Sequence, residues 1–292
     1  TTAEATAGSA GDQTTVEQRI EGFNLQAFRK GTASAQPFTL AFWVKASKTG
    51  SNLQVNLRDT TNDRIVGGTY SIASADTWEH KVINFAADTS GPFADVSTSE
   101  LLIEWFLDGG SNYSGGAVPT AWEAKANSDR NVTNFDLAGN TANDWAITGV
   151  QLEVGTFTAD TIPPFQFESF ADNLKRCQRY YIAYVSGNNE IVGSGIAYAS
   201  NQANVPLHFP TTMRTNPSLD ADTGTDYYKM LGTNGSGNGY VETFNAFIAD
   251  RAHENAAGLF INTSDGFSGT SGNGFYMVTN NASASIAFDA EL

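Results

Sequence analysis

A nucleophilic mechanism in this chain would have to be built from its serines, Cys177 and three histidines, His80, His208 and His253. Such chemistry needs a Ser or Cys within hydrogen-bond reach of a base that a third group holds in place. No Gly-x-Ser-x-Gly elbow supplies the strand-to-helix turn that exposes a nucleophilic serine. His80 and His208 sit in strand-like runs. Cys177 shares a helical face with aromatic residues, where a packed thiol is expected over a reactive one. Glycan cleavage would instead need two carboxylates roughly 5–10 Å apart. Glu104, inside the apolar run Leu101–Leu107, is the most suggestive acid, but spacing gives it no partner, and a glutamate on an exposed or sheet face is the simpler expectation. We therefore expect no catalytic residues and no enzyme.

Metal and phosphate chemistry fare no better. One cysteine and three scattered histidines lack zinc-ligand spacing. Asp220, Asp222 and Asp226 surround Gly224 as acids do in calcium loops, yet Leu231 stands where a bidentate Glu would close an EF-hand. We carry these three aspartates as a calcium candidate and expect an acidic turn. Gly235-Ser236-Gly237-Asn238-Gly239 lacks the Lys and following helix of a phosphate-binding loop, so it reads as turn glycine. No cofactor is expected.

Sugar contact is the remaining chemistry. Aromatic rings accept the CH faces of sugars while amides and carboxylates take the hydroxyls. Tyr113 and Trp122, with Asp108 and Asn112 nearby in sequence, lie in or beside the long polar stretch Gly109–Asn143, where no strand pattern buries a ring. They are the candidate glycan-binding residues, against the alternative that they plug the end of a sandwich. Trp43, Trp78, Trp105 and Trp145 fall within strand patterns and are expected in the core.

The elements that must position these residues are almost all strands. In Phe38–Lys45, Phe38, Leu40, Phe42 and Val44 share one face, and Thr39, Ala41, Trp43 and Lys45 the other. Similar runs recur at Leu53–Arg58, Arg64–Ile72, Trp78–Phe85 and Trp145–Val154, separated by polar turns. From Tyr180 onward they resume, with Gly-rich loops between them. Pro163-Pro164 interrupts the pattern, since proline cannot serve inside a ladder. Ser169 and Asp172 then form a capping pair, and Phe170, Leu174, Cys177 and Tyr181 follow at 4-3-4 spacing on one helical face. We expect an all-β chain of two jelly-roll-like β-sandwich domains joined by one short α-helix. Its divisions are an arm at 1–15, a first domain at 16–167, the helix at 168–182 and a second domain at 183–292.

Composition excludes several partners. The chain carries 31 acidic and 16 basic residues, a net charge of −15. Such a surface repels phosphate backbones and anionic membranes, so nucleic acid is not an expected partner. No apolar run is long enough for a spanning helix, so membrane insertion is not expected. A single cysteine cannot form an intrachain disulfide.

Several motifs occur in combination: Thr148–Gly155 (Thr-Gly-Val-Gln-Leu-Glu-Val-Gly), Pro164-Phe165, Phe167-Glu168 and Leu174–Tyr181 (Leu-Lys-Arg-Cys-Gln-Arg-Tyr-Tyr). Together they resemble a junction of phage virion structural proteins of the tail-fibre or receptor-binding type. Gln18–Gly22, Leu40–Ser47 and Asp76–Glu79 fit the same pattern upstream, as do Phe209–Pro217 and Phe288–Leu292 downstream. The longer stretch Thr156–Pro163 departs from it. The resemblance implies a carbohydrate-binding-module-like jelly roll followed by a C-terminal sandwich, a place on the virion surface (tail or capsid exterior), homotrimeric assembly and no catalysis. It fixes no binding residue. Three functions are weighed: a tail fibre or comparable appendage adhering to host-surface glycans, a capsid decoration or connector protein binding other virion proteins, and a secreted glycan-degrading enzyme. The first is expected. In it, Phe170, Leu174, Cys177 and Tyr181 face other copies or lie between the domains.

Overall fold

The computed structural model describes residues 9–233, 239–262, 265–267 and 269–292. Thr1–Gly8 of the expected arm and Gly235–Asn238 of the glycine loop lie outside the described residues. Residues 1–166 and 167–291 form two compact units. Both are β-sandwiches, as expected.

The first unit contains β1 (Gln13–Glu21), β2 (Phe38–Ala46), β3 (Asn52–Asp59), β4 (Arg64–Ser71), β5 (Glu79–Phe85), β6 (Ser99–Gly109), β7 (Glu123–Ala124) and β8 (Trp145–Val154). One antiparallel sheet runs β1-β6-β3-β4-β7 and the other β5-β2-β8. Period-2 alternation decides which side chains meet between them. Phe38, Leu40, Phe42 and Val44 of β2 join Leu53, Val55 and Leu57 of β3 and Leu101, Ile103 and Trp105 of β6 in one core. Each such side chain, fully withdrawn from water, contributes about 1.5–3 kcal/mol. Aromatic geometry locks the layers: Phe28 stacks on Phe38 at 3.9 Å, and Phe42 meets Trp105 edge-on at 5.8 Å. β1 begins at Gln13, inside the stretch expected to be an arm, and pairs along β6 from Gln13 to Glu21. Its polar sequence hid it, because only Ile20 packs partly against the core.

The second unit opens with α1 (Phe170–Gln178), capped by Ser169, whose side chain accepts from the Asp172 N–H. Tyr181 already belongs to β9 (Tyr181–Ser186). There follow β10 (Ile191–Ala199), β11 (Gln202–His208), β12 (Ser218–Asp222), β13 (Tyr228–Thr233), β14 (Gly239–Phe244), β15 (Ile248–His253), β16 (Ala256–Asn262), β17 (Gly274–Thr279) and β18 (Ser285–Asp289). They form a seven-stranded sheet, β14-β13-β17-β10-β11-β16-β15, and a three-stranded sheet, β12-β18-β9. Tyr228, fully buried between them, shares its one hydroxyl proton between the Asp222 and Ser285 carbonyls, at 2.6 and 2.9 Å. Burial pushes its phenol well above the usual tyrosine range. β12 occupies the first part of the segment expected to be an acidic turn, with Asp220 and Asp222 in the strand, while Asp226 lies in the turn before β13.

Candidate functional site

The long stretch after β6 is not a displayed loop. The outer face of β3 presents Gln54 and Asn56, both fully buried, and their amides bind the stretch's backbone. Gln54 donates to the Asp129 carbonyl at 2.6 Å and accepts from the Val132 N–H at 2.9 Å. Asn56 donates to the Arg130 carbonyl at 2.8 Å. The Gly67 N–H donates to the Pro119 carbonyl at 2.7 Å, an approach that requires glycine, since a Cβ there would stand 2.7 Å from Asn56 Oδ1. Beneath this cover Glu104, fully buried, accepts from Arg58 at 3.0 Å, from Asn56 at 3.0 Å and from Arg130. Glu104 thus lies on a sheet face but is neither exposed nor free to meet a substrate.

The expected glycan residues are arranged accordingly. Trp122 is only 9% exposed; its ring packs on Phe38 at 5.9 Å, and its indole N–H donates to the Ala86 carbonyl. It belongs to the core, which corrects the expectation that nothing would bury it. Tyr113 is half-buried between Phe106, at 5.4 Å, and the Arg130 guanidinium, at 5.0 Å. Asp108 accepts from the Ala138 N–H, and Asn112 is exposed, its N–H donating to the Ala10 carbonyl. Tyr113 and Trp122 therefore serve different packing tasks and do not build a common platform.

The open aromatic surface lies on the other sheet. The outer face of β2 carries Thr39, Ala41, Trp43 and Lys45. Thr39 and Ala41 are fully buried. The segment after β8 folds over them: Thr39 donates to the Gly155 carbonyl at 2.7 Å, and Thr39 Oγ1 and Asn84 Oδ1 both accept from the Phe157 N–H. Gln151 reaches the Pro163 carbonyl at 3.0 Å. The Thr156–Pro163 stretch thus covers one end of the face and leaves the other open. There Trp43, 44% exposed, stacks on His80 of β5 at 5.0 Å and 25°. Trp78 is 42% exposed, with the Lys45 ammonium 5.8 Å from its ring centroid. Trp43 pairs with His80 across β5 and with Thr148 across β8. Gly149, in the left-handed region at φ 58, makes room for the indole, since a Cβ there would come within 3.2 Å of Trp43 Cδ1. Trp43 and Trp78 were expected in the core. The alternation of β2 carries the signal for Trp43, which is out of phase with Phe42 and Val44, whereas Trp78 stands before β5 and outside any strand.

The calcium candidates do not converge. Asp220 accepts from the Tyr181 hydroxyl at 3.2 Å, Asp222 accepts from Ser285 at 2.7 Å, and Asp226 is in the left-handed region at φ 56. Among the described residues no three His, Cys, Asp or Glu side chains cluster as a metal site. Two alternate positions of an extended strand and a separate turn hold the three carboxylates, each engaged or placed locally, instead of wrapping them around a centre.

On α1 no residue is buried. Phe170 is 82% exposed, Leu174 41% and Tyr181 38%, and Cys177 is an exposed free thiol. The expectation of a packed thiol is corrected: a nine-residue helix covers too little surface to bury its own apolar face. We expect a disulfide reagent such as dithionitrobenzoate to titrate one thiol per native chain, at a rate within an order of magnitude of the unfolded chain's. Complete protection would show that another surface lies over α1.

Comparison with known proteins adds little. No family profile and no curated protein matches the chain. Among solved structures it is similar to the N-terminal CBM22-1-CBM22-2 tandem domain from Paenibacillus barcinonensis Xyn10C, at 9% identity and a TM-score of 0.22, over 98% of this chain and 93% of that one. A likeness at that level carries no argument about ligand or role.

Proposed function

We propose that this chain is a non-catalytic component of a bacteriophage's exterior, a tail fibre or comparable appendage, that holds a neutral host-surface glycan on the Trp43–His80–Trp78 strip. The strip supports this reading: the Trp43 indole and His80 imidazole stack on one open sheet face, and the half-exposed Trp78, just before β5, stands against Lys45 of that face. Stacked sugar rings use such faces, and Thr148 and Lys45 beside them offer hydroxyl and ammonium groups for the sugar's oxygens. The net charge of −15 favours a neutral ligand over a phosphorylated one. The virion setting rests on the Gln151-Leu152-Glu153 and Cys177–Tyr181 resemblance, and homotrimeric display would raise avidity through effective concentration.

A second reading, a decoration or connector protein, is favoured by the uncovered apolar face of α1, which suits a neighbouring virion subunit.

Labelled protein should coat host cells, and Trp43→Ala with Trp78→Ala should weaken coating at least tenfold, about 1.4 kcal/mol. Tyr113→Ala should leave it within about threefold, because the ring is held against Phe106 and Arg130. Coating that survives the loss of both tryptophans would remove the strip as the site. Absence of host binding together with tight binding to purified capsids would establish the second reading, and release of reducing sugar from host polysaccharide would overturn both.

A further inference from the structure

The outer face of the seven-stranded sheet carries a group of exposed apolar side chains in the second unit. Cross-strand pairing sets its pattern. On one row Val241 pairs with Leu231, and Leu231 with Tyr276. On the next, Ile196 pairs with Asn204, Asn204 with Phe260, and Phe260 with Ile248. The rows join through Gly274 and Ser194, the small partners of Ile196 and Tyr276. Val241, Tyr276, Ile196, Tyr198, Ile248 and Ile191 are 48–70% exposed, while their strand neighbours, such as Met277, Ala197 and Leu259, are buried in the core.

This alternation is inverted from the usual outer face. An antiparallel sheet with one solvated side places polar residues there. Here exposed apolar side chains also stand on the outer side, interrupted along β11 by Gln202, Asn204 and His208, and outward charge is confined to the margins. Lys229 is engaged with Asn189 at 2.6 Å, and Asp250 pairs with Arg251 at 3.5 Å. Ile196 and Tyr198 also line, with Asn204, Pro206, Asp250 and Arg251, an open hollow of about 430 Å³ on this face.

We infer that this sheet face is the surface through which copies of the chain associate. Three observations select that occupant. The six exposed side chains present roughly 700 Å² of mainly apolar surface, close to the ~800 Å² that each partner removes in a standard-size interface and above the few hundred Å² typical of a monomer's largest patch. Each chain carries a net charge of −15, so copies repel wherever charged surfaces meet, and a face with its charges at the margins is where contact costs least. Depletion of charge with enrichment of tyrosine and aliphatic residues is the composition of an interface centre. A membrane surface fits poorly, since no basic rim surrounds the face. The inference is independent of the glycan strip, which lies in the first unit.

Sedimentation equilibrium of the full chain provides the test. Wild-type protein should sediment as an oligomer at micromolar concentration. Tyr276→Glu with Ile196→Glu should raise the dissociation constant at least a hundredfold, toward the single-chain mass. Neither side chain is in the second core, so the circular dichroism spectrum should be unchanged and folding verifiable. Phe23→Glu, at a 51% exposed position of the first unit, should leave the oligomer's mass as it is. A wild-type chain that stays monomeric at about 100 μM would overturn the inference, as would a Tyr276→Glu, Ile196→Glu protein that is folded and still oligomeric. Loss of the oligomer with Phe23→Glu as well would point to general charge repulsion and also overturn it.

Discussion

Lys30→Met is expected to cost the first unit about 3–5 kcal/mol, the loss that follows when one partner of a buried ion pair is removed. The Lys30 side chain is fully buried, with its ammonium 2.5 Å from Asp59 and 3.1 Å from Asp88. It also donates to the Ser90 and Gly91 carbonyls and stands 5.0 Å from the Trp122 ring and 5.1 Å from that of Phe93. Methionine fills the space but leaves Asp59 without its cation, and Asp88 with Arg64 alone. The measurement is direct because all five tryptophans lie in residues 43–145. Tryptophan fluorescence during urea unfolding therefore follows the first unit by itself, which matters in a chain whose two units need not unfold together.

A pH series checks the cause. Burial works against the ionised form of Asp88, but hydrogen bonds from Arg64, the Ser90 N–H and Lys30 outweigh it and hold the carboxyl below its ordinary value. The unfolded chain then binds protons first as pH falls. The stability from Asp88 is fully present above the ordinary aspartate pKa of about 3.9 and is lost as pH falls through the lower folded value. In Lys30→Met, Asp88 loses one of the donors that hold its carboxyl down and gains by protonation, so the gap between variant and wild type should narrow between pH 7 and about pH 4. A gap that is constant with pH would mean that packing, not charge, is lost. Equal urea midpoints at pH 7 would mean that Lys30 is not the centre of this cluster.

Glu104→Ala should be nearly as damaging, again about 3–5 kcal/mol, because it strands two guanidiniums. The side chain of Arg130 is 7% exposed and that of Arg58 17%, and Glu104 binds both. The consequence should be local as well as global. Arg130 anchors the stretch that covers the outer face of the five-stranded sheet, and its guanidinium also lies over Phe106 and Tyr113. Limited trypsin digestion should therefore cut at Lys125 or Arg130 much faster in the variant, while wild-type Arg130, 5% exposed, resists. Glu104→Gln, which keeps the shape and an acceptor but removes the charge, should lie between the two. An unchanged cleavage rate in Glu104→Ala would show that Gln54 and Asn56 hold the stretch without it.

Much of this architecture is legible in the chain. The alternation in Phe38–Lys45, the run Leu101–Leu107 and the capping pair Ser169–Asp172 each state a local rule that the fold obeys. β1 was illegible because Val16 and Ile20 are its only apolar residues and it owes its place to pairing with β6. β12 was read as part of a turn because Asp220, Asp222 and Asp226 surround Gly224 as acids do in calcium loops, yet its pairing with β18 makes it a strand.

The tryptophans show where sequence stops. Trp122 sits in a stretch without periodicity, and only a tertiary contact, Phe38 with the Ala86 carbonyl, buries it. Trp43 sits in a clear strand, and the same alternation that puts Phe42 inside puts Trp43 outside. Whether that outer face is open was then decided by the Thr156–Pro163 segment, which covers Thr39 and stops short of Trp43. The sequence by itself determined the all-β class, the break near Pro163-Pro164, the single short helix and the charge that disfavours nucleic acid, because these follow from local periodicity and composition. The tertiary structure decided which aromatics are exposed, that Glu104 is held by two arginines and that the calcium candidates stand apart. Exposure and partnership depend on segments far apart in sequence closing over one another, and no local pattern encodes which face is covered.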